Sequence, residues 1–200
     1  DNFKKVLSRP DFHKSLNNTV VYTVAVVLII TVLALLLAVW LNEKNTKLNR
    51  LLQAAVFCPH VVSIVSISLI WLWMMEPNFG LFNYLLRKMG LPTSAWLSGS
   101  STAMPSVILV SVWKSVGYDT LIFLAALQGV SASLYEAARM DSANKVAVFF
   151  KITLPMISPQ LFFTLIIRTI SSFKVFDTVR ILTQGGPNNA TTTLVYSIYT

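Results

Sequence analysis

Charge is what this 200-residue sequence has least of. Asp, Glu, Lys and Arg make up 12% of it, against 54% hydrophobic residues and a mean hydropathy of +0.65. A soluble globular domain carries about twice that share of charge, so the chain is expected to live in lipid. Cysteine is nearly absent too. Cys58 alone excludes an internal disulfide, and with only His13 and His60 it cannot complete a structural zinc site, so Cys58-Pro59-His60 reads as packing and no metal ligands are assigned. None of the seven glycines precedes a lysine, which excludes the phosphate-binding loop of an ATPase. Two histidines and no nucleophile motif leave no Ser/His/Asp arrangement, so no catalytic residue is assigned either. The start is polar and charged, unlike a secretory signal. Opening on Asp1 and closing on an apolar stretch too short to cross a bilayer, the chain is expected to be part of a longer protein. Its 16 basic against 8 acidic residues cluster in short loops beside apolar runs, which points to anionic headgroups rather than nucleic acid.

Long uncharged runs are what is there. Residues 1–17 mix Phe3, Val6, Leu7, Phe12 and Leu16 with Lys4, Lys5, Arg9 and Lys14 around Pro10, the pattern of an amphipathic segment lying along an interface. Residues 18–41 contain no charge and form the first span, long enough to cross with some tilt. After a polar loop, 42–50, the second span runs over 51–75, kinked where Pro59 and His60 interrupt it and anchored by Trp71 and Trp73 near one end. Residues 76–102 read as a loop with a short helix over 81–89. A third span over 103–130 holds Lys114 and Asp119, a fourth over 156–176 holds Arg168 and Lys174, and 191–200 begins a fifth. The expected fold is an all-α, polytopic membrane bundle. With loops 42–50 and 131–155 on one side, that side carries 6 basic residues in 34, against 7 in 58 on the other, and the density marks it as cytoplasmic.

The interval between the third and fourth spans reads SASLYEAARMDSANKVAVFFKITLPMISP over 131–159. Ser133 with Glu136 fits a capping box starting a helix through Arg139. Asp141-Ser142 breaks it, Ser142 caps a second short helix, and Pro155 stops that one. Within the spans, Lys114 and Tyr118 share a helix face, while Asp119 points about 140° away from Lys114. Arg168, Ser171 and Ser172 share part of the fourth span. Charge at this depth must face the bundle interior or water. Two uses are open for these groups: contact with a passing solute, by Lys114, Tyr118, Asp119, Arg168, Ser172 and Lys174, or interhelical pairing, for example Asp119 with Arg168. An excess of cations here leaves an anionic saccharide or sugar phosphate open as the solute. His60 reads as a core histidine bonded to a neighbour.

EAARMDSA at 136–143, FFKITLP at 149–155 and Pro159 resemble the cytoplasmic loop of the permease subunits of binding-protein-dependent ABC importers. Trp96-Leu97, Val112-Trp113-Lys114, LAALQ at 124–128, Phe176-Asp177 and LTQGGPNNAT at 182–191 are similar to the carbohydrate branch, the maltose-transporter permease family. The resemblance runs from Asp1-Asn2-Phe3 to Tyr199. It implies an importer of sugars or oligosaccharides, with a second homologous permease, a solute-binding protein, and an ATPase dimer that carries the ATP and magnesium. It also implies a location in the bacterial cytoplasmic membrane. It places Glu136, Ala137, Ala138, Asp141 and Ser142 at the ATPase contact, Pro155 at the return into the membrane, and the Gly185-Gly186-Pro187 turn on the binding-protein side. The family usually has glycine where Ser142 stands, so the serine elbow must use a negative φ or be mildly strained. The rival reading is a secondary transporter that uses Lys114, Asp119 and Arg168 for ion coupling.

Overall fold

The structure, a computed structural model, describes residues 2–42 and 47–200, with side chains from Lys4 onward. Lys44 and the Asp1-Asn2-Phe3 side chains, which entered the sequence reading, lie outside it. The described residues form helices and loops without a strand. In chain order the helices are α1 (Asn2–Leu7), α2 (Pro10–Asn42), α3 (Lys47–Val61), α4 (Ile64–Met74), α5 (Leu81–Lys88), α6 (Ala103–Gln128), α7 (Ala132–Met140), α8 (Lys145–Val148), α9 (Leu154–Phe173), α10 (Asp177–Leu182) and α11 (Leu194–Tyr199). Among the described residues, three stretches are long and apolar enough to cross a membrane: α2, α6, and the continuous helix from Lys145 to Phe173; the bent pair α3 and α4 makes a fourth if counted as one span.

Several boundaries differ from the sequence reading, each for a local reason. Pro10 opens α2, where its missing N–H costs nothing, so residues 11–17 are the first turns of a 33-residue helix rather than a separate interfacial segment. Lys47 and Arg50, read as part of a polar loop, belong to α3. Pro59 sits inside α3, and the break comes later, at Val62-Ser63, where α3 and α4 meet at 96°, far beyond a proline kink. Pro155 does not end a helix. A wide-turn (π) stretch, Phe149–Thr153, precedes it, with the Leu154 N–H donating to the Phe149 carbonyl five residues back. The wider turn absorbs the donor that proline lacks. At Pro159 the Ser158 hydroxyl donates to the Pro155 carbonyl at 2.8 Å, the acceptor that an ordinary residue 159 would have used.

Along α2 the two faces separate cleanly. Val24, Leu28, Val32, Leu36 and Trp40, four apart, are each more than half exposed, whereas Tyr22, Val26, Ile30, Ala34 and Ala38 are buried. The exposed stripe suits lipid and the buried one, small toward its end, suits close helix packing.

The chain divides into two compact units, residues 1–28, 62–114 and 169–200, and residues 29–61 and 115–168. In the first, the Tyr22 hydroxyl donates to Ser111 Oγ at 2.8 Å, tying α2 to α6. Trp71 lies between Phe82 and Trp113 at 5.5 and 5.4 Å, so it is a core residue, and of the two expected anchors only Trp73 is exposed. Buried Asn83 organises the segment between α4 and α6: its amide donates to the Pro77 and Ser94 carbonyls, and its oxygen accepts from the Ser94 N–H and Trp96 Nε1. Full satisfaction is what allows an amide to be buried. At the end of α4, the Phe79 and Asn78 N–H groups donate to the Glu76 carboxylate and hold it below the usual carboxylate range. The segment 183–193, with a cis Gly186-Pro187 bond, is fastened to α2. Lys14 Nζ donates to the Asn188 carbonyl, Asn18 Nδ2 to those of Asn189 and Thr192, and the Leu194 N–H to Thr19 Oγ1. The second unit is built on Ala34 and Ala38 packed with Phe123, Leu124, Leu127 and Ile157.

Candidate functional site

In the second unit, α7 and α8 form two short helices around a tight elbow. The helix α7 starts one residue before the expected capping box. Its N-cap is Ser131, with no side-chain cap bond, and Ser131 and Ser133 hydroxyls bond to each other at 2.8 Å. It ends at Asp141, after which Ser142 takes φ +51°. The Ser142 N–H donates to the Arg139 carbonyl and the Ala143 N–H to that of Ala138, both at 3.0 Å. This pair of bonds is the Schellman closure, whose left-handed residue is usually glycine. The end of α5 shows the same closure with Gly90 at φ +70°. Of the two alternatives for the elbow, the structure therefore takes the strained one. The second helix is capped by Asn144, not Ser142: Asn144 Oδ1 accepts from the Ala147 N–H at 2.7 Å. Sequence reasoning missed this cap, although asparagine ahead of a short helical run was the signal.

Glu136, Ala137, Asp141, Ser142 and Pro155 are exposed, but Ala138 is buried within its own unit, which leaves Ala137 as the small residue at the surface. Glu136 and Arg139 line a cavity of about 710 Å³ with Val39, Asn42, Leu127 and Phe149. The elbow predicts a gain on substitution. Because a left-handed L-residue costs about 1–2 kcal/mol and glycine adopts it freely, Ser142→Gly is expected to stabilise the protein by about 0.5–1 kcal/mol once about 0.4–1 kcal/mol of extra unfolded-state entropy is subtracted. A higher melting midpoint of the purified protein checks this; an unchanged or lower one contradicts the elbow.

The span residues separate into engaged and available groups. Lys114 Nζ donates to the Val62 carbonyl, just ahead of α4, at 2.8 Å. Asp119, fully buried, accepts from Arg168 Nε at 3.0 Å and from Arg168 Nη2 in a two-pronged ion pair between α6 and α9. Pairing is thus the use the structure shows for these two. Arg168 is neutralised, so with Lys114 also engaged the cation-excess argument for an acidic solute loses two of its three residues. Tyr118 stacks on His60 at 4.7 Å, and the imidazole is half-buried rather than in the core. Ser172 is buried, and Lys174 is exposed. Sequence reasoning missed Gly117. A Cβ there would lie 2.7 Å from the Val56 carbonyl carbon and 3.0 Å from Phe57 Cα, with Val56 O nearer still, so α6 and α3 touch backbone to backbone. A lone glycine inside an apolar span was the available signal.

Residues 30–200 match the family model described as the binding-protein-dependent transport system inner membrane component. The chain belongs to this family. Relatives of this inner membrane component include the probable ABC transporter permease YurN of Bacillus subtilis, 37% identical over 99% of this chain and 69% of the relative. The trehalose/maltose transport system permease MalF of Thermococcus litoralis is 37% identical over 96% and 65%. The sn-glycerol-3-phosphate transport system permease UgpA of Brucella suis is 36% identical over 99% and 67%. The chain thus spans about two thirds of the length of these relatives. A solved bacterial ABC transporter involved in import of the acidic polysaccharide alginate superposes with a TM-score of 0.89, at 28% identity over 98% of this chain and 70% of that one. A second, in complex with an alginate pentasaccharide-bound periplasmic protein, gives 0.89 at 29% identity over 100% and 69%. The all-α permease fold and the family resemblance read from the 136–159 motif both hold. Membership sets aside the ion-coupled secondary transporter.

Proposed function

We propose that this permease is the membrane-spanning subunit of an ATP-driven importer that passes sugars or oligosaccharides from an external binding protein to the cytoplasm by alternating access. The carbohydrate relatives and the alginate importers support the solute class. In this reading the protein lies in the bacterial inner membrane with residues 42–50 and 131–155 on the cytoplasmic side. It pairs with a second homologous permease and sits on an ATPase dimer that binds ATP and magnesium; the chain itself catalyses nothing. The observation that carries the reading is the α7–α8 elbow, closed by the Ser142 turn and the Asn144 cap, with Glu136, Ala137, Asp141 and Ser142 exposed. A handle that transmits nucleotide-driven closure has to be stiff, and two short helices locked at their junction meet that need. Pro155, in the first turn after the π stretch, marks where the handle passes into a membrane helix. Tyr118, Ser172 and Lys174 remain as path groups, whereas Lys114, Asp119 and Arg168 serve the bundle. Glu136→Lys tests the handle: ATPase co-purification is expected to fall, or hydrolysis to run uncoupled from uptake. Intact assembly with full ATP-driven uptake would refute the coupling role.

A further inference from the structure

In the first unit, α10, α11 and the loop between them assemble a cluster that none of the roles above uses. The Arg180 guanidinium lies 4.7 Å over the Tyr199 ring and 5.6 Å over that of Phe176. Phe176 meets Tyr199 edge-on at 5.0 Å and Tyr196 at 6.1 Å. Gly185, at φ +76°, gives Tyr196 its place, since a Cβ there would stand 2.8 Å from the Tyr196 ring. Among the described residues the two rings are the only side-chain partners of Arg180. Asp177, one turn earlier, is not paired with it, and among the described residues no hydrogen bond reaches the Tyr196 or Tyr199 hydroxyls. Arg180 and Tyr199 are exposed, and Phe176 and Tyr196 are half-buried.

A guanidinium laid flat on aromatic faces keeps its N–H edge free and loses little rotamer freedom when that edge binds, a geometry matched to a carboxylate or phosphate. Two phenols beside it add hydroxyl donors and acceptors, and the rings offer flat apolar surface. Hydroxyls, an apolar ring face and one anionic group describe an anionic sugar better than a bare ion. We propose that Arg180, with Phe176, Tyr196 and Tyr199, is a binding site for anionic carbohydrate that takes the acidic substituent on the guanidinium edge and a sugar ring against the phenols. The proposal rests on the importer reading for its solute class and adds the residue that favours acidic over neutral cargo.

The test uses the assembled transporter in nanodiscs of zwitterionic lipid, without its binding protein, titrated calorimetrically with trigalacturonate, glucose 6-phosphate and maltotriose. Wild type is expected to bind at least one of the two anionic sugars, and which one reports whether carboxylate or phosphate is preferred. Arg180→Gln is expected to weaken that binding about tenfold and Arg180→Lys less, with maltotriose unchanged. Unaltered anionic-sugar affinity in Arg180→Gln, or no anionic-sugar binding by wild type, would overturn the proposal. So would loss of the signal in discs containing phosphatidylglycerol, which would make a lipid headgroup the occupant. ATP-driven uptake by wild type with its binding protein is read separately, so failure of the importer reading is distinguishable from failure of this site.

Discussion

Gly117→Ala is expected to lose the folded permease. The new Cβ would meet the backbone of α3 at Val56 and Phe57, not a side-chain tip that swings aside, so one helix must move bodily. Overpacking of this kind costs about 3 kcal/mol or more. In a membrane bundle, where association relies on close packing of small residues, little else compensates. Tyr118 and His60 stack beside the same contact, so displacing α3 disrupts that pair as well. Gly129→Ala is the control, because its nearest neighbours, the Ala126 and Ala125 carbonyl oxygens, stand at 3.4 and 3.8 Å. Expression followed by size exclusion in detergent should show a monodisperse peak for Gly129→Ala and a reduced or aggregated one for Gly117→Ala. A Gly117→Ala protein as abundant and heat-stable as wild type would mean that α6 and α3 do not touch as described.

What sequence patterns carried well was anything decided by burial averaged over many residues. The uncharged run at 18–41 falls in α2, most of the apolar stretch read over 103–130 is α6, and the short helix expected over 81–89 is α5, because apolar length and turn chemistry act locally. What they carried poorly was decided by one neighbour. Pro155 read as a helix stop, yet a π turn absorbs its missing donor, and that compensation has no pattern of its own. Trp71 read as an interface anchor because its position along the chain suited one, while its rotation about α4 put it against Phe82 and Trp113. In the candidate site the 136–143 motif marked the segment that forms the elbow, and the glycine expected at Ser142 pointed to the left-handed turn found there. Asn144 and Gly117 went unread, since a cap and a backbone contact are visible only once the partner element is in place. For Asp119 and Arg168 the residue types left pairing and solute contact open, and that the two side chains pair is visible only once α6 and α9 lie side by side.

That pair supplies the other large expected effect. Asp119→Ala would leave the Arg168 guanidinium, whose side chain is 14% exposed, without its counter-charge, and Arg168→Met would strand a carboxylate at 1% exposure. Removing one partner of a buried ion pair costs about 3–5 kcal/mol, because the survivor stays desolvated and unpaired. Replacing both by apolar residues of similar volume is often neutral, so Asp119→Leu with Arg168→Met is expected to recover most of what either single change loses. Thermal melting of the four proteins in detergent gives the coupling between the positions. Additive losses in the double variant would show that the two side chains act independently and would sink the ion-pair role. Transport adds a second axis to the same experiment. Both oxygens of the buried Asp119 carboxylate accept from Arg168, so on the reading proposed above the pair joins α6 to α9 rather than binding solute. The double variant should therefore import cargo within a few-fold of wild type. A well-folded double variant whose assembled transporter hydrolyses ATP but imports nothing would return both residues to the solute path.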